Sequence, residues 1–357
     1  MKSITFLLPS VAYTPIGGYK VVYEYANRLV NDGYDVRVVY SAYSKRYNVS
    51  WFINALRFIK ALLRFIRCRL TGYRVLWFDL DARVKEITAL RLSESFVPSS
   101  DVYVATSLST AISLKEFKSN SRKIYMIQGY EAWGGLSEQM VISSYQFGFK
   151  NVVISKWLDR VVRKYDSECV LIPNGFDFNF FKRSVDYADR NRYCVAMLYH
   201  TQELKGCEDG FKALSFVKER YPELRVNIFG VAPRPQWLPE WYCYYQQPDR
   251  DSFNKLYNEA SIFVGTSWSE GWGLTVGEAM ICGCAIACTD NDGYKEMVDH
   301  EVTALISPIK SPQQLADNVI RLISDDTLRV ELARRGGEHI KNFNWDSSYK
   351  KFKDVIG

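Results

Sequence analysis

At 357 residues, with 47% hydrophobic and 24% charged positions, the chain exceeds what one core usually holds and is too apolar for a disordered segment. Its formal net charge of +6 is uneven, because residues 1–175 hold 24 Lys and Arg against 14 Asp and Glu, leaving the remainder at −4. No run of about 18 uncharged apolar residues offers a membrane span, and the apolar stretch after Met1 is too short for a signal peptide.

That N-terminal stretch, residues 4–9, reads as a buried strand, followed by a Gly17-Gly18 turn, a helix over 19–31, a Gly33 stop and a strand over 36–40. This is one βαβ unit. Residues 51–67 then have helical period: Arg57, Lys60, Arg64 and Arg67 share one face, and Phe52, Leu56, Ile59, Leu63 and Ile66 another. A basic amphipathic helix of this kind predicts either an anionic membrane surface as partner or packing on its own domain with a solvated basic face. No nucleic-acid-binding module accompanies the basic half, so nucleic acid is not an expected partner.

Further buried strands are predicted at 102–105, 123–127, 151–154 and 169–172, and the Asn174-Gly175 turn opens a polar stretch that suggests a domain boundary. The alternation restarts with a strand at 193–198, a helix at 209–220 and a strand at 225–230. Two α/β units are expected. Eight cysteines without paired CxxC motifs, and only three histidines, argue against a zinc site and for reduced thiols. Neither half carries Gly-x-Gly-x-x-Gly or a Walker lysine motif, so a nicotinamide cofactor or ATP hydrolysis is poorly supported.

The densest chemistry lies at Ser269-Glu270-Gly271-Trp272-Gly273-Leu274-Thr275-Val276-Gly277-Glu278-Ala279-Met280, between a strand-like run at 260–266 and a small apolar run. A glycine turn feeding a helix leaves backbone N–H groups aimed at whatever sits above the helix N-terminus, which favours an anion such as a diphosphate. Two carboxylates beside it suit hydroxyls on either side of that diphosphate, as in a nucleotide sugar.

This pattern resembles the donor site of the retaining glycosyltransferases of family 4, which have the GT-B fold. Ile172-Pro173-Asn174-Gly175-Phe176-Asp177 resembles the segment closing that family's first domain, and Leu204-Lys205-Gly206 its phosphate-binding lysine motif. The resemblance implies two Rossmann-like doubly wound domains facing across a cleft. An acceptor domain would span 1–178, a donor domain 179–342, and a last helix over 343–357 would return to the first. It also implies a nucleotide-diphosphate sugar donor, a glycan or lipid-linked glycan acceptor, no metal or other cofactor, and a cytoplasmic, membrane-peripheral enzyme that builds surface polysaccharide with retention of configuration.

By the same resemblance Glu278 would hold the ribose; Lys205, His200, Gly18, Gly273, Leu274 and Thr275 the diphosphate; and Glu270, Gly271 and Trp272 the donor sugar. For Trp272 an ordinary buried Trp is the default reading, with stacking on the sugar or nucleotide the alternative. Gly17-Gly18 reads as a backbone wall for the donor or as a tight strand-to-helix turn. Two positions depart from the family. His200 stands where an arginine is usual, and Gln128, in Tyr125-Met126-Ile127-Gln128-Gly129-Tyr130-Glu131, stands where a catalytic histidine is usual. Front-face transfer, in which the leaving phosphate oxygen takes the acceptor's proton, would leave Gln128 to bind the sugar. Glu131 would orient the acceptor or stabilise positive charge, or merely cap a loop or helix. A non-catalytic scaffold on the same fold is the rival reading, with an epimerase or a phosphorylase as further ones.

Overall fold

The computed structural model describes residues 1–44, 49–132 and 135–357. The chain divides into two compact units, residues 1–173 with 348–357 and residues 174–347.

In the first unit β1 (Ser3–Leu8), β2 (Asp35–Ser41), β3 (Lys85–Ala89), β4 (Val102–Ala105), β5 (Arg122–Ile127), β6 (Lys150–Val153) and β7 (Val170–Leu171) form one sheet in the order β3-β2-β1-β4-β5-β6-β7. Every neighbouring pair is parallel. The crossovers include α1 (Gly17–Asn31), α2 (Trp51–Thr71), α3 (Leu108–Lys115), α4 (Glu138–Ser144) and α5 (Lys156–Val162). Buried on both faces, β1 and β4 read as continuous apolar runs, Ile4 and Phe6 to Leu8 being inaccessible. The order reverses between β1 and β4, the switch point at which open α/β sheets bind ligands.

The second unit repeats the plan with β8 (Cys194–Tyr199), β9 (Arg225–Gly230), β10 (Tyr242–Gln246), β11 (Ile262–Gly265), β12 (Ala285–Thr289) and β13 (Ala304–Ser307), ordered β10-β9-β8-β11-β12-β13. Its helices are α6 (Cys207–Arg220), α7 (Arg250–Glu259), α8 (Leu274–Cys282), α9 (Pro312–Ser324) and α10 (Asp326–His339). Here the switch point lies between β8 and β11.

The last helix, α11 (Trp345–Ile356), enters the first unit at Ser348, whose hydroxyl donates to the Pro173 carbonyl at 2.5 Å. Phe352 is fully buried there, its ring centroid 4.5 Å from Tyr25 and 6.2 Å from Phe6, and Lys353 pairs with Asp32 at 2.6 Å.

The amphipathic helix does not pack its apolar stripe on its own domain, the second of the two expectations for it. Ala61 and Cys68 are the buried residues of α2, and its apolar stripe faces solvent: Phe52 is 62% exposed, Leu63 63% and Leu70 81%. Arg57 turns inward instead, donating to the Ser44 carbonyl at 3.2 Å, while Lys60, Arg64 and Arg67 are exposed.

Candidate active site

The second unit assembles its site from loops after the two strands that flank its switch point. After β8, residues 200–206 run through a short 3-10 turn, Glu203–Lys205, into Gly206. Gly206 has φ +59°, and a Cβ there would lie 2.1 Å from the Thr266 carbonyl oxygen, so only glycine fits. The loop after β11 is laced to this one. Thr266 Oγ1 donates to the Lys205 carbonyl at 2.6 Å, Trp268 N–H to the Leu204 carbonyl at 2.8 Å, and the Trp268 indole to Asp209 at 2.8 Å.

This bracing brings Lys205 against Glu270. The ammonium lies 2.8 Å from Glu270 Oε1, and Ser267 donates its hydroxyl to that same oxygen at 2.8 Å. Both charged side chains are partly exposed at 24% and 15%, so the pair remains open to an incoming ligand. A third loop, after β12, backs the carboxylate. Asn291 Nδ2 and Thr289 Oγ1 both donate to the Ser267 carbonyl, at 2.8 and 2.5 Å, and a Cβ on Gly293 would fall 2.6 Å from Glu270 Cβ.

Gly273, at φ +98°, turns the chain into α8; a Cβ there would strike Tyr294 at 2.5 Å. No side chain caps α8, and the N–H groups of Leu274 and Thr275 have no partner among the described residues. They supply two free donors at the positive end of a helix dipole. Glu278, one turn further, is 3% exposed and accepts from the Tyr257 hydroxyl at 3.3 Å. Phe176 packs over the same helix, since a Cβ on Gly277 would lie 2.1 Å from its ring. Trp272 is buried edge-on to Phe343 at 5.3 Å, so its indole is packing, with no face open to a sugar.

His200 is half-buried, and its Nδ1 accepts from the Gln202 N–H at 3.0 Å, which leaves the ring proton on Nε2. Burial pulls the imidazole below its ordinary value, and the Lys205 ammonium adds to this while Glu270 opposes it. At neutral pH the residue is an uncharged donor and does not replace an arginine's charge.

The first unit gathers a second set after β1, β4 and β5. Gly18 lies in the first turn of α1, where a Cβ would sit 3.2 Å from Gln128 Oε1, and the Gln128 amide donates to the Thr106 carbonyl at 3.4 Å. Glu131 accepts from the Leu108 N–H at 3.0 Å, capping the start of α3. Loss of water raises its carboxyl to about 7, partly opposed by that hydrogen bond. The neutral and ionised forms are therefore both populated near neutrality.

Ser267, Tyr257, Asn291 and Gly293 were not among the sequence-derived candidates. Asp290-Asn291-Asp292-Gly293 is a turn signal that could have marked the third loop; nothing local marks Tyr257, which reaches Glu278 only through the packing of α7 on α8. Two surface depressions, of about 480 and 320 Å3, hold none of Glu270, Glu278, Lys205 or Gln128. No cluster able to hold a metal occurs among the described residues.

Residues 182–339 match the family model "Glycosyl transferases group 1", a match that lies within the second unit. A D-inositol 3-phosphate glycosyltransferase of Salinispora tropica is 28% identical over 194 residues, covering 49% of this chain and 40% of that protein. A phosphatidyl-myo-inositol mannosyltransferase of Mycobacterium tuberculosis is 24% identical, covering 50% of this chain and 51% of its own. The chain thus spans about half the length of these curated relatives. Over the whole chain the fold is shared with Anabaena HepE in complex with UDP and glucose, at TM-score 0.74, 15% identity and coverage of 100% and 99%. Sucrose-phosphate synthase of Thermosynechococcus elongatus matches at TM-score 0.72 and 15% identity, covering 99% of this chain and 98% of that one. Both units are Rossmann-like, and the fold is that of the GT-B glycosyltransferases.

Proposed function

We propose that the protein is a retaining glycosyltransferase that moves a hexose or deoxyhexose from a nucleotide-diphosphate sugar to a glycan, carried on a lipid, during surface polysaccharide assembly. The observation that carries this reading is the Lys205–Glu270 pair, held in the same unit as the uncapped start of α8, whose second turn bears Glu278. A dinucleotide or ATP-hydrolysing site would be expected to carry Gly-x-Gly-x-x-Gly or a Walker lysine motif, and the chain has neither. A glycosidase would need two carboxylates on opposite sides of the scissile bond, whereas Glu270 and Glu278 belong to one turn-and-helix segment.

In this mechanism the Leu274 and Thr275 amides, with the dipole of α8, receive the diphosphate, and the neutral His200 Nε2–H adds one hydrogen bond. Lys205, positioned by Glu270, neutralises the negative charge that grows on the leaving diphosphate as the glycosidic bond lengthens. Glu270 then orients the sugar hydroxyls, and Glu278 accepts from the ribose. The acceptor hydroxyl attacks from the face that the leaving group vacates, and the departing phosphate oxygen takes its proton, so no enzymic base is required at Gln128. Gln128 donates to or accepts from the sugar. Glu131, titrating near neutrality, stabilises developing positive charge when ionised.

Association with an anionic membrane surface at the cytoplasmic side is part of the same proposal, with Lys60, Arg64 and Arg67 as its cationic contacts. No described helix is long and apolar enough to cross a membrane.

The test is thermal shift of the purified chain against UDP, GDP, dTDP, CMP and ADP and their sugar conjugates. A ligand at about a hundred times its Kd stabilises the native state by about 2.7 kcal/mol, so one nucleotide class should raise the midpoint selectively. Glu278→Ala should abolish that rise. No rise with any nucleotide would overturn the enzymatic reading in favour of a non-catalytic scaffold.

A further inference from the structure

The outer face of α2 is an exposed apolar feature that the donor and acceptor chemistry leaves unused. Phe52, Leu56, Ile59, Leu63, Ile66 and Leu70 recur at intervals of three and four residues and so form one continuous stripe along the helix. They point away from the domain, because the buried Ala61 and Cys68 occupy the opposite side, helped by Phe58 edge-on to Tyr43 at 5.3 Å and Phe65 edge-on to Phe96 at 6.2 Å. A surface helix of an ordinary globular domain turns its apolar stripe inward, so α2 is inverted.

Charge narrows the occupant. Between Trp51 and Thr71 there are Arg57, Lys60, Arg64, Arg67 and Arg69 and no acidic residue, and neither Lys60, Arg64 nor Arg67 forms an ion pair among the described residues. A second copy docked through this stripe would bring two such rows of cations together without a carboxylate between them. Anionic lipid headgroups match both features, an apolar interior beneath a negatively charged plane. The exposed Trp51 at the N-terminal end of the helix suits the headgroup boundary, where amphipathic rings concentrate.

We infer that α2 lies in the plane of an anionic lipid leaflet with its apolar stripe sunk into the acyl boundary, Lys60, Arg64 and Arg67 contacting lipid phosphates at its side. This rests on the membrane-associated reading above and changes its physics: apolar insertion holds the protein and the cations add selectivity. The placement also reaches the candidate acceptor site. Just beyond α2, the Tyr73 hydroxyl accepts from the Ala12 N–H at 3.0 Å and donates to the Ala12 carbonyl at 2.6 Å, and the Trp77 indole donates to that carbonyl at 3.0 Å. The docked helix thereby fixes the β1–α1 loop, which leads to Gly18, at the lipid surface.

Sedimentation of the full chain with phosphatidylcholine vesicles, with and without phosphatidylglycerol, at low and high salt, tests this. The wild type should bind the phosphatidylglycerol vesicles and retain binding at high salt. The double substitution Ile59→Asp with Leu63→Asp should weaken binding by roughly tenfold or more, with an unchanged melting midpoint, because those side chains are already in water. Lys60, Arg64 and Arg67 changed together to Gln should remove the preference for phosphatidylglycerol and leave residual binding. Release by the Gln variant alone, with the Asp variant binding like wild type, would overturn apolar insertion and keep electrostatic association. A midpoint lowered by several degrees in the Asp variant would mean that protein covers the stripe, and failure of the wild type to bind any vesicle would overturn both. No sugar donor enters the assay, so a failed nucleotide panel does not bear on it.

Discussion

Among the site residues proposed from the sequence, His200 and Glu131 are the two whose protonation the fold adjusts, and they are adjusted in opposite senses. Because burial and Lys205 lower the His200 value, the imidazole is neutral from mildly acidic pH upward. Affinity for a nucleotide sugar, whose diphosphate does not titrate near neutrality, should therefore stay flat between about pH 6.5 and 8 in calorimetric titration. A fall across that interval would mean that a protonated His200 carries the phosphate contact. Glu131 behaves inversely. Its folded-state value of about 7 stands above the ordinary 4.5, so the folded protein keeps a proton that the unfolded chain releases. Stability linked to this group is present below the ordinary value and is lost as pH rises through that window. Glu131→Gln, whose amide oxygen can still accept from Leu108, should flatten the fall in melting midpoint between about pH 4.5 and 7 and exceed wild type at pH 8. Equal midpoints at pH 5 and pH 8 in wild type would refute the assignment. The candidates legible at this scale were those in contiguous motifs: Glu270, Glu278 and Lys205 belong to short runs whose glycines announce a turn. Tyr257 and Ser267 escaped because their hydrogen bonds to those carboxylates depend on packing that local spacing does not encode.

Among the elements, the buried central strands were legible and several others were not. β1, β4 and β5 are dense in aliphatic residues because both faces are covered. The edge strands β3 and β10 carry Lys85-Glu86 and Tyr244-Tyr245-Gln246, which read as polar or loop-like because an edge needs less burial. β12 is fully buried, but three of its five residues, Ala285, Ala287 and Cys288, are small and unbranched, which dilutes the β-branched signature of a strand. Its side chains are small where a large one would collide: Gly265 on β11 already lies 3.0 Å, at a built Cβ, from Cys288. The loops above these strands carry the sharpest element-scale prediction. Gly206→Ala forces a left-handed φ on a residue with a Cβ, costing about 1–2 kcal/mol before any clash, and the Thr266 carbonyl must move away as well. That carbonyl belongs to the residue whose hydroxyl holds Lys205, so nucleotide-dependent stabilisation should fall along with the midpoint. A variant that loses midpoint but keeps the full nucleotide shift would separate Gly206 from the site.

At the scale of the whole molecule, each unit has its own parallel sheet and its own core, and the chain crosses between them twice, near Pro173 and near Ser348. The doubled βαβ plan was readable in the sequence because the strand and helix periods restart after the polar stretch that follows Phe176. The return of α11 was expected only through the family resemblance, since its amphipathic pattern does not say which core receives Phe352. Two cores of this kind need not melt together. Calorimetry should resolve two transitions that respond to different perturbations. Phe352→Ala empties a site between Phe6 and Tyr25 and should destabilise the first unit by roughly 3–5 kcal/mol, lowering its transition by on the order of 10 °C. The nucleotide that passes the binding panel should raise only the other transition, because Lys205, Glu270, Glu278 and the start of α8 all belong to the second unit. One transition shifted by both perturbations would show instead that the two cores unfold as a single cooperative body, and donor binding would then stabilise the first unit as well as its own.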